Sequence, residues 1–288
     1  MKWLSRLTNA LDYIEENIEG KIDIYEVAKI SYSSPSHFQR MFYMIMDVTI
    51  AEYIRKRKLT LAAQELATSR AKVIDIAFKY GYETPEAFSK AFKNLHGIPP
   101  SAARRPGIKL KAYPRLSFQI SIKGDENMDY KIIDKDAYKL IGKSIRVSTK
   151  DGENYIRIPK FWEEFNRKGL NNRIMELTEK KDMLGICTDY CEDLQELTYI
   201  IAVEKTKDVE LGEFEEFEIP PSTWAVFQSI GSIPDAIQRV WKRIYSEWFP
   251  ATGYEHSGGP EMELYPNEGL SPNDDDYRCE VWIPIIKD

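Results

Sequence analysis

Two stretches decide the fold: Ser34-Pro35-Ser36-His37-Phe38-Gln39-Arg40-Met41-Phe42, which follows Val27-Ala28, and Thr84-Pro85-Glu86-Ala87-Phe88-Ser89-Lys90-Ala91-Phe92, which follows Ile76-Ala77. In each, a small Ala lets one helix pack closely against the next. Phe residues at i and i+4 anchor that second helix to a core, and the basic residue between them, Arg40 or Lys90, faces outward. The pattern is that of a helix-turn-helix unit present twice. Gly81 stands where the second unit must turn tightly, and Ser31-Tyr32 takes that place in the first. Between the units, Tyr53-Ile54-Arg55-Lys56-Arg57-Lys58-Leu59 opens a longer helix reaching about Ala67, which would fix the separation of the two reading helices.

Working outward, apolar residues recur at helical spacing from Leu4 to about Arg105, so the first part of the chain is expected to be all-α. Pro106-Gly107, Pro114 and Lys123-Gly124-Asp125-Glu126-Asn127 break the pattern, although Leu116–Ile122 has the composition of a short strand. Beyond them come strand-like runs at Tyr138–Val147, Leu197–Val203, Thr223–Ile230 and Tyr277–Ile286. Ile158-Pro159 is expected to open a helix carrying Trp162 and Phe165, and Ile233-Pro234 another carrying Ile237, Trp241 and Ile244. Each helix is preceded by one strand run and followed by two more. The expectation is therefore a multidomain chain: an all-α double helix-turn-helix domain over 1–107, a linker over 108–127, and an α+β domain of two strand-helix-strand-strand repeats over 128–288. Side by side, the repeats would form one sheet with helices on one face and a groove on the other.

Composition fits this division. The 288 residues are 43% hydrophobic and 12% aromatic, enough for two cores. No apolar run approaches the ~18–20 residues of a membrane span, and acids come too early for a signal peptide, so a cytoplasmic protein without a membrane partner is expected. The net charge of −6 conceals an asymmetry: residues 1–110 hold 17 basic and 12 acidic residues, a net of +5, and the remainder carries −11. Binding of phosphates depends on such local charge rather than on the total. Cys187, Cys191 and Cys279 have no nearby partners that would complete a metal tetrahedron, and Asp274-Asp275-Asp276 lacks the spaced ligands and Gly of a calcium loop. No metal and no cofactor is expected.

The run Ser34–Phe42, the linker-helix run Tyr53-Ile54-Arg55 with Arg57, and Gly97-Ile98-Pro99-Pro100 with Arg104 resemble the AraC/XylS family of regulators, of the Rob type. That resemblance implies double-stranded DNA as a partner, with RNA polymerase as a further one. It places Ser36, Gln39 and Arg40 in a first major groove, Arg55 on the linker helix, and Pro85, Glu86, Ser89 and Lys90 on the second recognition helix. Arg40 can make a bidentate contact to guanine and Gln39 to adenine.

From about Asp129 the chain resembles the GyrI-like effector domain. The resemblance rests on Ile132-Ile133 through Leu140-Ile141-Gly142, Trp248-Phe249-Pro250, Gly253-Tyr254, Gly259-Pro260-Glu261-Met262-Glu263-Leu264-Tyr265, and Cys279-Glu280-Val281-Trp282-Ile283-Pro284-Ile285. It implies a groove for a small, flat, cationic or amphipathic effector, with the last-strand glutamate at its floor. The residues themselves add that Cys279, Val281 and Ile283 alternate with Glu280 and Trp282. If the former pack on helices, the latter face the groove. Tyr199, Trp224, Tyr190 and Trp162 are the other candidate wall residues, each with core packing as its alternative. Glu280 is otherwise an exposed strand carboxylate, or a partner for Arg278 or another nearby base.

The function expected is a ligand-responsive transcription regulator. The alternatives are a hydrolase of small electrophiles, with a floor glutamate as general base, and a module that sequesters a toxic compound. The three histidines, His37, His96 and His256, give His-dependent catalysis few candidates, and no enzyme activity is expected.

Overall fold

The computed structural model describes residues 2–117, 128–191, 196–267, 269 and 271–287. By its packing the chain divides into two compact units. One is Lys2–Pro35 with the described part of Val48–Ser121; the other joins Ser36–Asp47 to the described part of Ile122–Asp288. Of the expected strand at Leu116–Ile122, Leu116 and Ser117 have no regular structure and the remainder lies outside the described residues.

The first unit is helical. Its elements are α1 (Lys2–Glu16), α2 (Ile24–Ile30), α4 (Ile50–Thr68), α5 (Val73–Lys79) and α6 (Pro85–His96), and α3 (Pro35–Met46) lies between α2 and α4 in the chain. Local sequence sets the boundaries. Asp23, Thr49 and Thr84 each accept a hydrogen bond from a first-turn backbone N–H of α2, α4 and α6, respectively, satisfying a donor that has no partner inside the helix. Pro85 occupies the first turn of α6, and Gly97 ends that helix at φ +78°. The expected core of the second helix-turn-helix is present: Ile76, Ala77, Phe88 and Phe92 are buried with Leu59, Ala62, Ala63 and Leu66 of α4. The two turns are built alike, Gly81 at φ +77° and Tyr32 at φ +56°. Only the second has the residue for which that conformation costs little. Glu15 and Arg57 form a mostly buried ion pair at 2.7 Å, to which Tyr53 adds a 2.5 Å hydrogen bond to Glu15.

In the second unit the described strands form one nine-stranded antiparallel sheet. They are β1 (Tyr130–Lys135), β2 (Tyr138–Ser148), β3 (Met183–Cys191), β4 (Glu196–Glu204), β5 (Glu215–Ile219), β6 (Ser222–Ile230), β7 (Tyr254–His256), β8 (Glu261–Tyr265) and β9 (Arg278–Lys287). The order is β1-β6-β9-β8-β3-β4-β2-β5, with β7 on β9. The duplication is visible in it. The first repeat is β2, α7 (Asn154–Arg167) with α8 (Leu170–Met175), β3 and β4; the second is β6, α9 (Asp235–Arg243), β8 and β9. The repeats meet where β3 pairs with β8, and the short strands β1 and β5 close the two edges.

Two details differ from expectation. Pro159 does not open its helix but lies inside α7, which starts at Asn154. Beyond the first turn a proline removes one backbone hydrogen bond and crowds the carbonyl four residues before it, here that of Tyr155. On the sheet face away from the helices, where a groove was expected, Leu140, Ile186, Ile200, Trp224, Val226 and Met262 are buried, with Ile133, Tyr138, Phe217 and Trp282 packed against them. Lys135 ties this face together, pairing with Glu204 at 2.9 Å while its ammonium lies 3.4 Å from the Tyr138 ring centre.

Candidate functional site

The helix-bearing face gathers the polar chemistry. Alternation along β8 sends Glu261, Glu263 and Tyr265 to this side and Met262 and Leu264 to the other. Gly185 pairs with Glu263 across the β3–β8 junction of the repeats. A side chain at Gly185 would overlap the Tyr199 hydroxyl and meet Trp162, so the glycine is the gap over which the tyrosine lies. The Trp162 indole N–H donates to Tyr199 Oη at 2.8 Å. Trp241 of α9 and Tyr265 each donate to one oxygen of Glu263, both at 2.7 Å. The two acids of β8 and aromatics from both repeats therefore converge on one place.

Glu261 is the buried anion of this cluster, 7% exposed. The Tyr245 hydroxyl donates to it at 2.5 Å, His256 Nε2 lies 3.3 Å away, and Arg40 of α3 pairs with it at 2.8 Å. Burial opposes its charge, but the Arg40 guanidinium and His256 prevail and hold the carboxyl well below the usual carboxylate range. The Arg40 guanidinium also lies over the Trp241 ring, 4.1 Å from its centre. Burial pushes the Cys187 thiol up to about 11, with Arg40 opposing it, so this cysteine stays a neutral wall group. His37 stacks on His256 at 4.1 Å; burial, His256 and Arg40 lower it to about 3, and it stays neutral.

The residues expected at the effector site separate into two groups. Tyr199 and Trp162 belong to the cluster just described. Glu280, Trp282 and Trp224 lie together on the opposite face, the Trp224 and Trp282 rings 6.0 Å apart. There Glu280 pairs with Lys131 at 2.9 Å and accepts from the Trp282 indole N–H at 2.8 Å. Tyr190 accepts a 3.1 Å hydrogen bond from Gln39. Glu261, Glu263, Tyr265, Trp241 and Gly185 were not singled out as wall residues. The alternating Glu-x-Glu-x-Tyr of Glu261–Tyr265 is the signal that could have found the first three.

The expected DNA-reading residues are also divided. Arg55, Glu86 and Lys90 are exposed, and Pro85 and Ser89 are half-buried on α6. Gln39 and Arg40 are engaged within the second unit as described, and the side chain of Ser36 lies outside the described residues.

Comparison with known proteins finds a match for each part of the chain. Residues 128–286 match the GyrI-like small molecule binding domain, and residues 27–106 match a helix-turn-helix domain. The HTH-type transcriptional activator AarP of Providencia stuartii is 38% identical over 100 residues, 35% of this chain and 74% of that protein. The multiple antibiotic resistance protein MarA of Escherichia coli (strain K12) is 36% identical over 94 residues, 33% of this chain and 74% of that protein. SAV2435, solved bound to tetraphenylphosphonium, is similar in fold, with 19% identity and a TM-score of 0.50 over 55% of this chain and 94% of that one. Two helix-turn-helix units ahead of a duplicated, acid-lined sheet thus have counterparts on both sides, and the chain belongs to the AraC-type DNA-binding regulators, with a GyrI-like small-molecule-binding domain as its C-terminal part.

Proposed function

We propose that this regulator responds to a lipophilic cation bound on the helix-bearing face, at the junction of the two repeats. The observation that carries the reading is the convergence there of two carboxylates, Glu261 and Glu263, with Trp162, Tyr199, Trp241 and Tyr265. Charge attraction strengthens as water is excluded, and a ring facing a cation contributes about 0.5–2 kcal/mol. A lipophilic cation carrying aromatic groups would find both interactions at once. The tetraphenylphosphonium bound by SAV2435 has this chemistry and makes a practical probe. In this reading the chain binds its effector without transforming it. Both oxygens of Glu263 already accept hydrogen bonds from fixed donors, a binding arrangement rather than that of a base facing a free water.

The remaining parts follow the helix-turn-helix likeness. Arg55, Pro85, Glu86, Ser89 and Lys90 would contact duplex DNA, with Gln39 and Arg40 joining them when α3 is free. RNA polymerase would be the further partner of an activator acting in the cytoplasm. The test is calorimetric titration of the full chain with tetraphenylphosphonium and with neutral triphenylphosphine oxide. Glu263→Gln should weaken the cation about tenfold and leave the neutral compound unchanged. Equal loss for both, or a cation-selective loss in Glu280→Gln instead, would refute this placement.

A further inference from the structure

We propose that Arg40 is an internal stand-in for the effector, so that neither the effector site nor the first recognition helix can take its external partner while Arg40 is docked. The inference rests on the cationic reading of the site given above. Arg40 places a delocalised cation between a buried carboxylate and an indole face, 2.8 Å from Glu261 and 4.1 Å from the Trp241 ring centre. Those are the contacts a lipophilic organic cation would seek. The contact is part of a docked face. Gln39, Tyr43 and Asp47 recur every fourth residue beside Arg40, and each has a partner in the second unit: Tyr190 at 3.1 Å, the stacked Tyr155 ring at 4.0 Å, and Lys242 at 2.6 Å.

This is also the face to which the family resemblance assigns base readout. A guanidinium held against Glu261 cannot make a bidentate contact to a guanine edge. Two states follow, one with Arg40 docked and α3 withheld, and one with Arg40 released and the site vacant. An effector that binds only the released state shifts the population toward it, and DNA contacted through Arg40 does the same. The two ligands then promote each other by a common factor, and couplings of this kind are about 5- to 150-fold. The effector is thereby an inducer of DNA binding at the first recognition helix, and a cationic group is what the site selects.

The experiment uses the full chain, tetraphenylphosphonium as the cation, and hydrogen exchange read over α3. Titration should be accompanied by faster exchange in α3, and Arg40→Ala should bind the cation about tenfold more tightly than the wild type. Should Arg40→Ala fail to fold because Glu261 is left unpaired, the double variant Arg40→Ala/Glu261→Gln removes both charges together and should exchange α3 rapidly without any ligand. On a duplex recovered from a random library with the full chain, tetraphenylphosphonium should raise DNA affinity. If the cation binds with α3 exchange, Arg40→Ala affinity and DNA affinity all unchanged, the stand-in role is overturned and the effector site stands. If neither the wild type nor Arg40→Ala binds the cation, the cationic effector itself is refuted, and this inference with it.

Discussion

Gly185→Ala is a small change with a large expected effect. Elsewhere in a strand, Gly→Ala stabilises by about 0.5–1 kcal/mol because the unfolded chain loses freedom. At this position the new methyl would overlap the Tyr199 hydroxyl and sit 3.4 Å from Trp162. Tyr199 is 3% exposed and has little room to retreat. Overpacking of this kind costs about 1–3 kcal/mol. Displacing the ring also breaks the 2.8 Å bond from the Trp162 indole, worth about 0.5–1.5 kcal/mol. After the entropic gain is subtracted, the net is a destabilisation of about 0.5–4 kcal/mol. Urea unfolding of the full chain would read it as a lower midpoint with an unchanged slope. Adding Tyr199→Phe to Gly185→Ala removes the overlapping atom and should recover part of the loss. Stability equal to or above wild type in Gly185→Ala would refute the reasoning, because it would mean that the tyrosine moves at no cost.

Glu15 gives a pH prediction. Burial opposes its charge, but hydrogen bonds from Arg57 and Tyr53 hold its carboxyl below the ordinary value. A depressed carboxylate contributes stability that is complete above the unfolded value of about 4.3 and is lost as pH falls through the lower folded value. Glu15→Gln should therefore cost about 2–4 kcal/mol at pH 7, and the gap to wild type should narrow below about pH 4; parallel stability curves would contradict this. On the DNA side, Lys90→Ala should weaken binding about uniformly across sequences and lower the salt slope by about one, read by fluorescence anisotropy at several salt concentrations. A change confined to one base pair would instead make Lys90 a base reader.

The helical part was legible because its signals are local. Ala77 with Phe88 and Phe92, and the caps Thr49 and Thr84, act within a few residues of themselves. Four strands were legible from their apolar runs, and alternation told which residues of β9 share a face. What alternation could not tell is which face collects the acids. That depends on the β3–β8 pairing, which sets Gly185 against Glu263, and on helices that carry Trp162 and Trp241 to the same place. The docking of Arg40 was hidden for a different reason. An outward-facing arginine on a helix carries the same local pattern whether its partner is a nucleic-acid base or a buried carboxylate far along the chain.

The two edges of the sheet carry a consequence for growth. β5 exposes Glu215, Glu216 and Glu218, and β1 exposes Lys131 and Asp134 alongside Tyr130 and Ile132. Both are short, and Glu216 is held by Lys139 and Lys205, each at 2.6 Å. A visiting strand would have to desolvate several charges for each few backbone hydrogen bonds it gained, which discourages edge-to-edge pairing. The charges on the two edges thus work against laying a third repeat alongside, and among the described strands the junction that gathers the acids occurs once.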